Sequence, residues 1–415
     1  MTRYTDIACT ARSIVLKGEK RCMSLVKKYE QSFKLIQASL WGTDIKKIDH
    51  STYEDFRAHA IIALPASILS KADMPSDLRQ MWRSEIYQII SNGVNCQHMQ
   101  ETLPITVPYA VLKGTAAAQY YPNPRYRTMG DIDIMPCHED YDTCCSMLLG
   151  AGFSECTIES TSEVNRHRTF QKDGITVEVH SYFSIFNDAG CSRYLDELII
   201  RNITPSHILP DPVNGMVLLE HINQHIEEGI GLRQIIDWML FVNRCLPDNK
   251  WEEFKVMAEK TGLLKLACVT TRMCEMYLGL PKRQWCSGTD ENLCEAFMEY
   301  ILSCGNFGTK REYFGFRSEK LISYMRTPKV TFTLLQKYGL YNWKAARKYF
   351  FLRPFAWIYQ IVKYINKTVS RQVTLEQLKS EISTAKERNA LFDALGVTQV
   401  AKGLVIYKDG KYVKE

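Results

Sequence analysis

The chain has 415 residues, 46% of them hydrophobic and 24% charged, with a formal net charge of +6. These are the proportions of an ordinary globular protein with a sizeable core and two or three structural units, which excludes a collagenous, low-complexity or disulfide-framework chain. The mild basic bias suits anionic small substrates such as nucleotides and is too weak by itself to argue for nucleic acid.

Residues 1–104 read as a helical region. MTRYTDIACTARSIVLKGEKR lacks the apolar core of a signal peptide. EDFRAHAIIALPASIL and SDLRQMWRSEIYQIISNGV carry apolar residues at three- and four-residue spacing; Ser76 is the expected N-cap of the second, and Pro65 must kink or end a helix in the first. The pattern changes over residues 105–205. VPYAVLKG is a short apolar run, TAAAQYY is helix-like, DIDIMP alternates with period two, and EDYDTCCSMLLGAGF reads as a helix stopped by Gly150 and Gly152. RHRTFQKDGITVEVHSYF then places two alternating segments around Asp173-Gly174, a preferred two-residue hairpin turn.

Residues 206–365 return to helical periodicity, and 366–415 predict a helix opened by the capping box Thr374–Gln377, then a small hairpin around Asp409-Gly410. KYFFLRPFAWIYQIVKYI is interrupted by Arg353, Pro354 and Lys363, so no membrane span is expected there. Its aromatics are expected to pack a helical core with cationic stems alongside. The 14 cysteines are scattered, with one adjacent pair, Cys144-Cys145, and no Cys-x-x-Cys spacing; they read as reduced thiols in a cytoplasmic protein. The expected class is α+β, a small mixed sheet between helical N- and C-terminal regions.

The chemistry concentrates in DIDIMP. Alternate side chains on a strand share a face, so Ile132 and Ile134 point one way and Asp131 and Asp133 the other, their backbone positions roughly 6.5–7 Å apart. Ionised carboxylates inside an apolar run need a counter-charge, and such a pair can grip cations between its arms. The hairpin offers a third. With Asp173-Gly174 as turn, Lys172 pairs with Ile175, Phe170 with Val177 and Thr169 with Glu178. Phe170, Val177 and Val179 then form a buried face, and His167, Thr169, Glu178 and His180 a polar one.

In this order LKGTAAAQYYPNPRYRTMGDIDIMPCHEDYD, LLGAGF and VEVH resemble the uncharacterised nucleotidyltransferase family within the DNA polymerase β-like superfamily. The resemblance is specific over residues 107–186, looser out to about 365, and does not reach the tail. It implies a nucleotidyltransferase core in the middle unit that transfers a nucleoside monophosphate from an NTP such as ATP and releases pyrophosphate. A pair of Mg²⁺ ions would sit on Asp131, Asp133 and Glu178, with Glu178 or Asp133 aiding deprotonation of a hydroxyl-bearing acceptor, a small molecule or protein. The superfamily's phosphate turn corresponds to Gly114-Thr115, where Thr115 departs from the usual Ser or Gly and its methyl narrows the pocket. Lys113, Arg125 and Arg127 are the expected phosphate-holding cations.

His180 has two readings, a contact to substrate or carboxylate and an ordinary strand-end histidine. Glu159 and Glu163 are rivals to Glu178. His221 and His225, one helical turn apart in HINQH, lack the Glu of a zincin and read as packing or a cleft wall. Arg233 and Asp237 read as a surface ion pair at i, i+4. The competing functions are a non-catalytic nucleotide- or protein-binding module, a γ-phosphotransferase, and a nucleic-acid end-modifier, the last disfavoured by the modest charge.

Overall fold

The computed structural model describes residues 24–156, 166–186, 188–309, 328–369, 375–397, 405–408 and 411–414. Its centre is a five-stranded mixed sheet made of β1 (Tyr109–Leu112), β2 (Asp131–Pro136), β3 (Ser154–Glu155), β4 (His167–Lys172) and β5 (Ile175–His180) in the order β1-β2-β5-β4-β3. Only the β2–β5 pairing is parallel; the others are antiparallel. The α+β class read from the sequence is the observed one.

The hairpin register follows from its turn. Asp173 and Gly174 both take positive φ (50° and 76°), the backbone of the tight turn that matches strand twist. Lys172 pairs with Ile175, Phe170 with Val177 and Thr169 with Glu178, as the sequence predicts. Phe170, Val177 and Val179 join Val111, Ile132 and Ile134 in one apolar cluster, covered by Cys144, Cys145 and Leu148 of a helix ending at Gly150.

Helices surround the sheet. Before it come α1 (Glu30–Trp41), α2 (His50–Ala58) and α3 (Ser76–Glu101); α4 (Gly114–Ala118) follows β1 and α5 (Tyr141–Gly150) follows β2. After the sheet come α6 (Ala189–Arg201), α7 (Asp211–His225), α8 (Leu232–Cys245), α9 (Trp251–Lys260), α10 (Leu264–Tyr277) and α11 (Glu291–Cys304). Beyond these lie α12 (Pro328–Asn342), α13 (Ala356–Val369), α14 (Leu375–Leu395) and the paired strands Val405–Lys408 and Lys411–Lys414. The large apolar core draws on both sides of the sheet sequence, from Phe33, Phe56 and Trp82 to Trp238, Phe254, Phe297 and Phe392. It also takes in Ala110, Leu112 and Met135 from the second sheet face.

Several local expectations are corrected. The helix over EDFRAHA ends at Ala58, well before Pro65. Ala60 takes φ 56°, and the His59 ring lies between the Tyr29 hydroxyl (3.1 Å) and the Leu232 amide (3.3 Å), so tertiary bonds override the periodicity. Ser76 is the first residue of α3 and Pro75 its cap, so Ser76 makes no cap bond. The capping box at Thr374 and the turn Asp409-Gly410 lie outside the described residues, as do Glu159 and Glu163. The aromatics of the basic segment do not all pack inward: Phe350, Phe351 and Phe355 are 77%, 58% and 54% exposed. None of the twelve described cysteines is in a disulfide, and no described helix is long and apolar enough to cross a membrane.

Candidate active site

Two neighbouring strands, β2 and β5, bring the carboxylates together. The parallel register sets Asp131 beside Thr176 and Asp133 beside Glu178, on the face opposite the Phe170 cluster. One carboxylate oxygen from each of Asp131, Asp133 and Glu178 lies within 4.8 Å of the others. Asp131 opens to solvent at the start of β2, whereas Asp133 is 2% exposed.

The charge on Asp133 is compensated by groups on both adjacent strands. Leu112 is its antiparallel partner, and the next residue, Lys113, donates from Nζ to Asp133 Oδ1 at 2.8 Å. His180 Nε2 lies 2.9 Å from the same oxygen; since a carboxylate only accepts, this nitrogen carries the hydrogen. Burial alone would raise the Asp133 carboxyl, but the Lys113 ammonium and the His180 bond outweigh it and hold the carboxyl below its ordinary range. Burial pushes His180 down to about 3, so it is a neutral donor that orients Asp133; its Nδ1 has no partner.

The other two carboxylates are raised. Asp131 is pushed up first by the negative charge of Asp133. Glu178 is pushed up to about 7 by burial and then by Asp133. It also lies 3.6 Å from His167 Nε2 and 3.6 Å from His180 Nε2. The site thus has more negative charge than its fixed cations neutralise, and the donors are hard oxygens close enough to share an ion. That donor set fits a hard divalent cation such as Mg²⁺.

The turn into α4 is backbone-strained. Lys113 and Gly114 take φ 57° and 42°, and a β-carbon at φ > 0 is costly, so Lys113 is held there by its bond to Asp133. The Thr115 hydroxyl is committed elsewhere, donating to Gln100 Oε1 at 2.5 Å.

The anticipated arginines divide. Arg125 is exposed on the turn Pro124–Tyr126. Arg127 is 3% exposed, its Nε and one terminal nitrogen on the two oxygens of Asp237 at 2.8 and 2.7 Å, and the Tyr121 hydroxyl also donates to Asp237 at 2.8 Å. The expected Arg233–Asp237 surface pair is therefore wrong: Asp237 is buried and belongs to Arg127. Arg233 instead lies on α8 within electrostatic range of Asp131. It donates to the Thr128 carbonyl at 3.3 Å, its charge acts on Asp131, and its Nε is buried without a partner. Burial and the nearby Arg127 charge both pull its guanidinium down, an environment that an anion would relieve. Local spacing hid this residue, because i, i+4 pairing offered a nearer explanation.

His221 is buried on α7, where its ring meets His225 edge-on at 5.0 Å and it feels the charges of Lys113 and Asp133. His225 pairs with Glu228 at 3.1 Å. His221 therefore lies within electrostatic range of the site, and His225 packs against it.

A mixed sheet with three carboxylates on two adjacent strands and a Lys-Gly turn against Asp133 brings together the residues on which the family resemblance rests. The chain belongs to that family: the profile of the uncharacterised nucleotidyltransferases matches residues 50–279, which contain the whole sheet, α2 to α10 and every side chain of the site. It is a nucleotidyltransferase-family protein carrying an acidic cluster able to hold a metal ion. No curated protein and no solved structure matches it.

Proposed function

We propose that the chain is a Mg²⁺-dependent enzyme that moves a nucleoside monophosphate from an NTP to a hydroxyl-bearing acceptor, a small molecule or a protein, with release of pyrophosphate. The observation that carries this reading is the approach of Asp131, Asp133 and Glu178 oxygens to within 4.8 Å on adjacent strands of a family nucleotidyltransferase core. Those three side chains would hold Mg²⁺, one ion or a pair, which supplies charge neutralisation on the triphosphate and acidifies the acceptor hydroxyl.

The chain's own residues divide the remaining work. Lys113 and His180 keep Asp133 ionised and fixed in direction. Glu178, beside Asp133 on the neighbouring strand, is the candidate to take the acceptor's proton as the acceptor oxygen bonds to the α-phosphorus and the bond to the pyrophosphate oxygen breaks. Arg233 is the better candidate for a triphosphate oxygen, because Arg127 is already saturated by Asp237 and acts by positioning the segment before β2. Gly114 and Thr115 open α4, whose first-turn amides lack intrahelical partners and can face phosphate.

Two results are expected. Arg233→Ala should raise the KM for NTP by roughly tenfold or more while leaving thermal stability near wild type, since it removes one charge-assisted bond of about 1.5–3 kcal/mol. Steady-state kinetics and melting curves on the same preparation check both halves.

The second concerns pH. Glu178 titrates near 7 in the fold against an ordinary 4.5, so between those values the folded protein holds a proton that the unfolded chain has lost. Stability of the metal-free protein therefore falls as pH rises through that window. Metal needs the carboxylate, so Mg²⁺ stabilisation should grow from pH 6 to pH 8, with proton release on binding at pH 6. Glu178→Gln should flatten the pH dependence. An equal Mg²⁺ shift at both pH values would remove Glu178 from the metal set.

A further inference from the structure

We infer that the segment from Pro328 to Val369 is a docking surface for an anionic lipid bilayer, independent of the transfer site. Its 42 residues carry eight Lys or Arg and no Asp or Glu, so the rest of the chain is slightly acidic and the positive charge of the protein is concentrated here. Eleven of the 42 are aromatic.

The structure sorts these residues by face. The small residues point inward: Gly339, Ala346 and Ala356 are buried, and Gly339 lies so close to the Ala356 carbonyl that a β-carbon there would sit 1.9 Å from its oxygen. α12 and α13 are held together by this approach, by Trp343 stacked on Tyr359 and by the Asn342 amide donating to Gln360 Oε1 at 2.9 Å. The apolar side chains are left outside. Phe351, Phe355, Ile358 and Val362, spaced four, three and four residues apart, form an exposed stripe running into α13, with Phe350 beside its start. Lys344, Arg347, Lys348, Arg353 and Lys363 are exposed around it.

An exposed stripe of this kind marks an interaction site, and its chemistry selects the partner. Ile358 and Val362 offer nothing to a nucleobase, which stacks on flat rings, but both suit the acyl boundary of a bilayer. Phenyl and aliphatic groups entering that boundary, with lysines and arginines at headgroup level and the exposed Tyr338, Tyr341 and Tyr349 beside them, is the arrangement of an interfacial anchor. The complete absence of carboxylates matches a negative surface.

Co-flotation of the full chain with phosphatidylcholine vesicles, with and without phosphatidylglycerol, tests the inference. Binding is expected with phosphatidylglycerol only and should weaken with salt. Phe350→Asp/Phe351→Asp and Arg347→Glu/Lys348→Glu should each reduce the bound fraction by roughly tenfold, with melting temperature unchanged because these side chains are exposed. The inference is overturned by absence of wild-type binding to either vesicle, by undiminished binding of the phenylalanine pair variant, or by equal binding to vesicles with and without phosphatidylglycerol.

Discussion

Asp133→Asn is expected to lower Mg²⁺-dependent nucleotide turnover by at least on the order of 10²–10³-fold while the protein stays folded. The amide keeps the shape, and its oxygen can still accept from Lys113 and His180, which hold Asp133 Oδ1 at 2.8 and 2.9 Å. What is lost is the negative charge at the centre of the cluster. Asp133 is the largest cause of the raised carboxyl of Asp131 and the second cause at Glu178, so both should titrate closer to their ordinary ranges in the variant. Turnover assays together with carboxyl titration by NMR separate a missing charge from a collapsed site. Retained turnover would mean that Asp133 holds no metal and that its place on β2 is structural.

The second large effect falls on stability. Asp237→Ala should destabilise the fold by about 3–5 kcal/mol, because it leaves the buried Arg127 guanidinium without its ion-pair partner, with only the unbonded charge of Asp131 acting on it. The Tyr121 hydroxyl loses its acceptor in the same step. A loss of that size is a large fraction of the about 5–15 kcal/mol that holds a typical native state. Arg127→Ala should cost as much for the converse reason, a buried carboxylate without its cation. If the pair acts as a unit, the double variant Arg127→Ala/Asp237→Ala should be less destabilised than the sum of the single variants, since no unpaired charge remains. Melting curves of the four proteins decide it; additive losses would show that the two residues act separately.

Much of the sheet was legible because strand chemistry is local. A period of two assigns faces, and Asp173-Gly174 sets the pairing, so the partners of Phe170 and Thr169 follow from counting. The same parity, with the family resemblance, singled out Asp131, Asp133 and Glu178 before their proximity was known. What escaped the sequence is non-local. Arg127 and Asp237 are 110 residues apart, and nothing in either neighbourhood announces the other. Arg233 was assigned to Asp237 by a helix-surface rule that a buried, stronger partner overrode. His59 ends its helix by bonds to residues on two other segments. In the basic segment, composition led to the expectation that the aromatics pack a helical core, but composition does not say which side chains face it, and Phe350, Phe351 and Phe355 meet solvent.

The measurement that tests the central claim most directly is thermal stability with each NTP, with and without Mg²⁺, on the wild type and on Asp131→Asn/Asp133→Asn. A nucleotide at a hundred times its Kd adds about 2.7 kcal/mol to the folded state, enough to register. The account predicts a Mg²⁺-dependent rise for at least one NTP in the wild type and none in the double variant, which would also identify the donor. A nucleotide shift that is independent of Mg²⁺ and survives the double substitution would contradict it.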